Sequence, residues 1–163
     1  MSDHSTSSEN YKTIAENRKA RHDYAIREVM DAGIVLQGSE VKSLRKNRCS
    51  ISEAFVGEMA QGPLAGSLVL FNANIPSYEQ ARFFNHEPKA PRKLLLRKRD
   101  MNKWISAIRK KGMTIIPLHM YFNHKGLVKV KIALAQGKNT VDKRESLKER
   151  DWKRQQMRLK KTH

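Results

Sequence analysis

The chain is poor in several things, and each shortage narrows its class. It has one cysteine, Cys49, among 163 residues. That excludes an internal disulfide and an all-cysteine zinc site, and it fits a reducing, cytoplasmic setting. No stretch approaches the roughly 20 apolar residues of a membrane span, so none is expected. Met1 to Asn10 is Ser-rich with no apolar centre and does not read as a secretory signal. Acids are scarce as well: 16 Asp and Glu stand against 33 Lys and Arg, a formal net charge of +17 with a pI near 10.3. Between Lys89 and Arg99 there are six bases and no acid.

Apolar side chains are scarce at both ends. Of 36 Leu, Ile, Val and Phe residues, 32 fall between Tyr24 and Ala135, one (Ile14) before them and three after. Segments this poor in apolar groups cannot bury enough surface to offset the entropy of ordering. The expected division is a flexible arm over 1–16, one folded domain over 17–136, and a basic tail over 137–163 that is disordered when free.

A charge of +17 opposes compaction, so it calls for an anionic partner. A membrane-surface helix would set bases on one face and a bulky apolar stripe on the other. The tail offers only Val141, Leu147, Trp152, Met157 and Leu159, which form no stripe. Nucleic acid is therefore the expected partner class, with no membrane.

Within the domain, Tyr24 to Leu36 reads as extended, with a bend at Ala32-Gly33. Gly38-Ser39 opens a short helix with Ser39 as its cap, Val41 and Leu44 inward, and Lys42, Arg45 and Lys46 outward. Ala54–Met59 and Ser67–Ile75 read as a hairpin, and Pro76–Arg92 as an exposed loop. Asp100 is placed to cap a helix whose Met101, Trp104, Ile105 and Ile108 share one face, with Gly112 supplying a left-handed residue after it. Thr114–Phe122 and Leu127–Ala135 form a second hairpin, Val128, Val130, Ile132 and Leu134 facing in and Lys129 and Lys131 facing out. The expected class is mostly β, with about six short antiparallel strands and peripheral helices. An OB-type barrel is one candidate and an α+β sandwich another.

The phosphate-contact candidates are Lys129 and Lys131, the run Arg92, Lys93, Arg97, Lys98 and Arg99, and Lys42 with Arg45. Any one of them is equally readable as a solvated surface charge; as a group without acids the run is not. Asn17 to Tyr24 mixes cations with His22 and Tyr24, which suits stacking on an unpaired base; the competing reading is a polar arm with Tyr24 buried. His22, His86, His119 and His124 have no informative spacing, and no phosphate-cradling glycine loop or carboxylate cluster for magnesium occurs, so no catalysis, metal or cofactor is expected. In the tail, Arg150, Arg154 and Arg158 form an i, i+4 row on a segment that favours helix yet has no apolar face.

Several blocks resemble the bacterial SsrA-binding protein family. They are Asn17-Arg-Lys-Ala-Arg-His-Asp-Tyr24, Ala32 to Arg45, Pro91-Arg-Lys-Leu-Leu-Leu96, Lys129-Val-Lys-Ile132, Gly137-Lys138, Asp142-Lys-Arg144 and Lys148-Glu-Arg150, in order along the chain. The resemblance implies an OB-type antiparallel barrel with two or three peripheral helices, acting as a monomeric, non-catalytic adaptor. Such an adaptor binds the tRNA-like domain of transfer-messenger RNA, carries it to stalled ribosomes and stands in for an anticodon arm. Its tail becomes helical in the empty mRNA channel. By position, Asn17, Lys19, Arg21, His22, Glu40 and Lys42 fall in the family's RNA-facing segment, with Lys93, Lys129 and Lys131 added. Gly137, Lys138, Asp142, Lys143 and Arg144, then Lys148, Arg150 and Arg154, correspond to the decoding-site and mRNA-channel segment. Val141 departs from the family pattern, because it stands where an aromatic or histidine is common and cannot stack. The competing function is that of a ribosomal or ribosome-assembly protein held permanently on rRNA.

Overall fold

A computed structural model describes residues 12–46, 49–81, 84–110, 112–137 and 152–158. Seven strands form one antiparallel sheet: β1 (Lys12–Glu16), β2 (Tyr24–Ile34), β3 (Phe55–Glu58), β4 (Leu68–Phe71), β5 (Arg92–Leu95), β6 (Met113–Phe122) and β7 (Val128–Gly137). The helices are α1 (Ala20–Asp23), α2 (Gly38–Arg45), α3 (Lys98–Ile108) and α4, residues 152–158. Strand order is β1-β6-β3-β4-β5-β2-β7, and β7 also pairs with β6. Six strands thus pair in a circuit that returns to its start, and β1 is attached to it through β6.

The alternation in β7 holds. Val128, Val130, Ile132 and Leu134 enter the main core with Leu44, Leu68, Leu70, Leu94 and Ile115. The hairpin loop before β7 is set by Asn123, whose Oδ1 accepts from the N–H groups of Lys125 and Leu127, and by Gly126 at φ 77°. The α3 stripe also holds, with Trp104 fully buried and Ile105 nearly so. That helix starts earlier than expected, with Arg97 at the N-cap and Asp100 in the first turn, where its charge favours the helix dipole. Gly112 is left-handed at φ 86°, in the turn into β6.

Four further features differ from the sequence expectation. The sheet begins at Lys12, not at 17. An edge strand needs few apolar side chains, and β1 buries only Ile14 and Ala15 while its backbone pairs with β6. The bulge in β2 lies between Ile26 and Glu28 rather than at Ala32-Gly33. Gly33 instead lets β2 and β5 approach, since a Cβ there would stand 3.1 Å from Leu95 Cβ. Finally, Ser39 is not the α2 cap. Gln37 and Glu40 form a reciprocal capping box, and Ser39 Oγ lies 2.9 Å from His86 Nδ1.

The fourth difference concerns the Pro76–Arg92 loop, whose described residues are mostly exposed, as expected, but which is anchored by two buried side chains, His86 and Arg92. Arg92 is 3% exposed and Glu40 2%. Arg92 Nε donates to Glu40 Oε1 at 2.9 Å, Nη1 donates to Ala73 C=O, and Nη2 donates to the carbonyls of Glu87 and Pro88. The other Glu40 oxygen accepts the Gln37 N–H. This pair ties α2, the end of β4, the loop and β5 together. Removing one partner of such a pair strands a buried charge and costs about 3–5 kcal/mol, whereas replacing both with apolar groups is often neutral. Glu40→Ala is therefore expected to destabilise the fold by about that amount, and Glu40→Leu with Arg92→Met to recover most of the loss. Urea unfolding of the three proteins checks both expectations.

Candidate RNA interface

The outer face of β6 and β7 is shaped by a break in alternation. Before Pro117, Ile115 faces the main core; after it, Met120 and Phe122 do. The register of β6 against β7 shifts between Pro117 and His119. Proline has no N–H to give a ladder and is accommodated at such a bulge. The shift turns His119 and Tyr121 outward, beside Lys131 and Lys129, to which they are paired in register. His119 thus lies on the other side of the sheet from Ile115, although strict alternation would put the two on one face.

Asn17 uses this bulge. Its backbone N–H donates to Leu118 C=O at 2.8 Å, and its side-chain Nδ2 donates to Pro117 C=O at 3.1 Å. Asn17 is therefore buried and holds the chain that leads into α1, rather than facing a ligand. Ala20 of α1 packs with Ile116, Leu118, Ala133 and Ala135 into a small second core on the outer side of the sheet. With that helix seated, Lys19, Arg21 and His22 are exposed, and His22 Nδ1 lies 3.1 Å from Asp23 Oδ1.

The result is an open cavity of about 490 Å³ walled by Thr13, Glu16, Arg18, Arg21, His119 and Lys131, with Asn17 and Leu118 also on its lining. His119 and Tyr121 stack at 5.2 Å between ring centroids. His119 Nε2 lies 3.0 Å from Thr13 Oγ1, and the Tyr121 hydroxyl donates to Asp31. Three cations, the His119 ring backed by buried Tyr121, and one acid, Glu16, on the lining suit a phosphate backbone with a base or sugar beside it. Burial pushes the His119 pKa below 6.5; Lys131 lowers it further, and Glu16 and Asp31 partly oppose this.

The other candidates lie elsewhere. Glu40 is interior, paired with Arg92, so neither presents its charge to a ligand. Lys129 borders two shallow depressions beside Gly33 and Leu95. Lys93, on β5, pairs in register with Val69. Lys42 is exposed on α2 with its Nζ over the Tyr78 ring. Gly137 ends β7 and is exposed, and Arg154 is exposed on α4. Lys138, Asp142, Lys143, Arg144, Lys148 and Arg150 lie outside the described residues. Sequence reasoning missed Arg18 and His119 as cavity walls. Arg18 carried a signal, as the neighbour of Lys19; the outward turn of His119 depends on a bulge that Pro117 alone only hints at. Among the described residues, no three His, Cys, Asp or Glu side chains gather as a metal site would need, and no helix is long and apolar enough to cross a membrane.

The family model described as "SmpB protein" matches residues 14–162. An "SsrA-binding protein" of Parvibaculum lavamentivorans is 55% identical over 148 residues, covering 91% of this chain and 87% of the relative. One of Rhodopseudomonas palustris is 51% identical, covering 91% of each. A solved chain described as "tmRNA-SmpB: a journey to the center of the bacterial ribosome" is 42% identical over 77% of this chain and 84% of its own, with a TM-score of 0.61.

The lowered His119 pKa fixes the sign of a pH effect. Between that value and the unfolded value near 6.5, the unfolded chain binds more protons than the folded one. Stability contributed by the neutral ring is therefore present above about 6.5 and lost as pH falls through that interval. An NMR titration of the free protein is expected to give His119 a midpoint below 6.5. Phosphates bound in the cavity should raise the midpoint, because they favour the protonated ring.

Proposed function

The chain belongs to the SmpB protein family, and from that premise we propose that it binds transfer-messenger RNA and acts with it on the ribosome in trans-translation. The observation that carries this reading is the basic cavity between α1, β1, β6 and β7, where Arg18, Arg21 and Lys131 line the walls with His119, whose ring is backed by the buried Tyr121. Its relatives bear the name SsrA-binding protein, and a structural neighbour is described as tmRNA-SmpB at the centre of the bacterial ribosome.

In this proposal the six-strand pairing circuit is an OB-type barrel that holds a preformed RNA by shape and phosphate. Lys19, Arg21 and His22 of the α1 segment, with Lys129 and Lys131, contact the tRNA-like domain; Lys42 and Lys93 extend the contact. Asn17 and Glu40 serve it from inside, by fixing α1 and α2. The barrel stands in for the missing anticodon arm. The residues from Gly137 onward read the decoding site and the empty mRNA channel, with Asp142, Lys143 and Arg144 nearest the decoding site and Lys148, Arg150 and Arg154 beyond it. The protein acts as a monomeric adaptor without a reaction or cofactor of its own, in the cytoplasm where ribosomes work.

The test is binding to transfer-messenger RNA against an elongator tRNA, titrated across salt. Affinity through released counterions alone falls steeply and equally for both RNAs, with a slope set by the number of phosphates neutralised. A preference for transfer-messenger RNA that persists at high salt is expected. Equal affinities that collapse together would favour a permanent rRNA-bound component instead, and such a component would stay with ribosomes through a high-salt wash. Deleting Val141 to His163 is expected to leave affinity for the RNA within a few-fold and to abolish ribosome rescue. A comparable loss of RNA binding would refute the division of labour between barrel and tail.

A further inference from the structure

Residues 76–91 join β4 to β5 and have no part in the reading above. Several of the described ones, among 76–81 and 84–91, are nevertheless held by hydrogen bonds. His86 is 4% exposed. Its Nε2 lies 2.8 and 3.0 Å from the carbonyls of Ile75 and Pro76, and Ser43 Oγ donates to the same Pro76 carbonyl. The Asn85 side chain grips Tyr78 at both ends of its backbone: Oδ1 accepts the Tyr78 N–H at 3.1 Å, and Nδ2 donates to the Tyr78 carbonyl at 2.9 Å. The Tyr78 hydroxyl donates to Gln80 Oε1. The ring is thus held in place by its own loop.

Two ammonium groups converge on that ring. Lys42 Nζ lies 5.7 Å from the centroid and Lys46 Nζ 5.1 Å, both within cation–π range of about 6 Å. The lysines are four residues apart, Lys42 in the last turn of α2 and Lys46 at its C-cap. The ion pairs among the described residues are His22–Asp23, Arg92–Glu40, Lys103–Glu28 and Arg109–Glu58, and neither lysine belongs to one. Both ammonium groups are exposed and lie within about 6 Å of the centre of one ring, and like charges brought to the same ring repel each other. An anion placed between them removes the repulsion and is drawn by both.

We infer that Tyr78 gathers Lys42 and Lys46 into a seat for an RNA backbone phosphate, with the Asn85 side chain that clasps Tyr78 as its mount. This deepens the proposed function and rests on it for the identity of the RNA. Tyr78 is a positioning residue here: it acts through the two lysines. The phosphate belongs either to the tRNA-like domain of transfer-messenger RNA or to ribosomal RNA.

The experiment uses the full chain in four forms: wild type, Tyr78→Phe, Tyr78→Leu, and Lys42→Ala with Lys46→Ala. Binding is measured across salt, in one arm to the isolated tRNA-like domain and in the other to small ribosomal subunits. Each phosphate contact contributes roughly 0.7–0.9 to the slope of log affinity against log salt. The lysine variant is expected to lose about one such contact in one arm, which names the source of the phosphate. Tyr78→Leu should lose the same amount in the same arm, and Tyr78→Phe, which keeps the ring, should match wild type. Adding Tyr78→Leu to the lysine variant should cost nothing more. A wild-type slope for Tyr78→Leu in both arms overturns the seat. So does a loss that is independent of the lysines, or one shared by Tyr78→Phe with a lowered Tm. A wild type without preference for transfer-messenger RNA defeats the proposed function instead, while the slope differences still judge the seat.

Discussion

The Glu40–Arg92 pair is the contact on which the surrounding architecture rests. It lies in the interior, and every polar atom of both side chains finds a partner there. A buried charge is tolerated only under such complete pairing, because desolvation otherwise outweighs attraction. Completeness is also what makes the pair organise its neighbours. Arg92 can be satisfied only if the carbonyls of Ala73, Glu87 and Pro88 are all present, which fixes how β4 ends and how the following loop returns. Glu40 can be satisfied only if α2 starts at Gln37. One ion pair therefore sets the place of the helix and the loop that together hold Lys42, Lys46 and Tyr78.

On the opposite part of the sheet, the corresponding device is a neutral one. The bulge at Pro117 leaves carbonyls that a regular ladder would have used, and Asn17 takes the one at Pro117 with its amide. That hydrogen bond seats α1, and α1 covers Ala133 and Ala135. The outer face of β7 is thus divided: apolar and covered at one end, basic and open at Lys129 and Lys131. Both regions of basic surface are arranged by groups that are themselves hidden.

Much of this was legible in the residues. The α3 stripe, the β6–β7 hairpin, the inward set of β7 and the left-handed Gly112 follow from periodicity and turn chemistry, which are local. The exposed cations of the α1 segment were legible too, from charge and from family resemblance. What escaped is non-local. Nothing in the spacing of Glu40 and Arg92 says that they meet, so both passed for surface charges. Asn17 reads as a polar arm residue until β6 is beside it. The side of the sheet to which His119 belongs depends on one inserted residue, and a shift of one reverses every later side chain. Strand β1 escaped because an edge strand can be recruited by backbone pairing with only two apolar side chains.

The pairing circuit has a consequence for how the molecule is made. Strand β7 is the partner of both β2 and β6, and its register joins Tyr24 to Gly137. During synthesis, β2 has no β7 to pair with until nearly the whole folded region has emerged. The hairpin of β3 and β4 can form early, but closure waits for the last strand, and contacts so distant in sequence fold slowly. For that interval the nascent chain carries an open sheet and a concentrated positive charge beside the polyanionic machine that is making it.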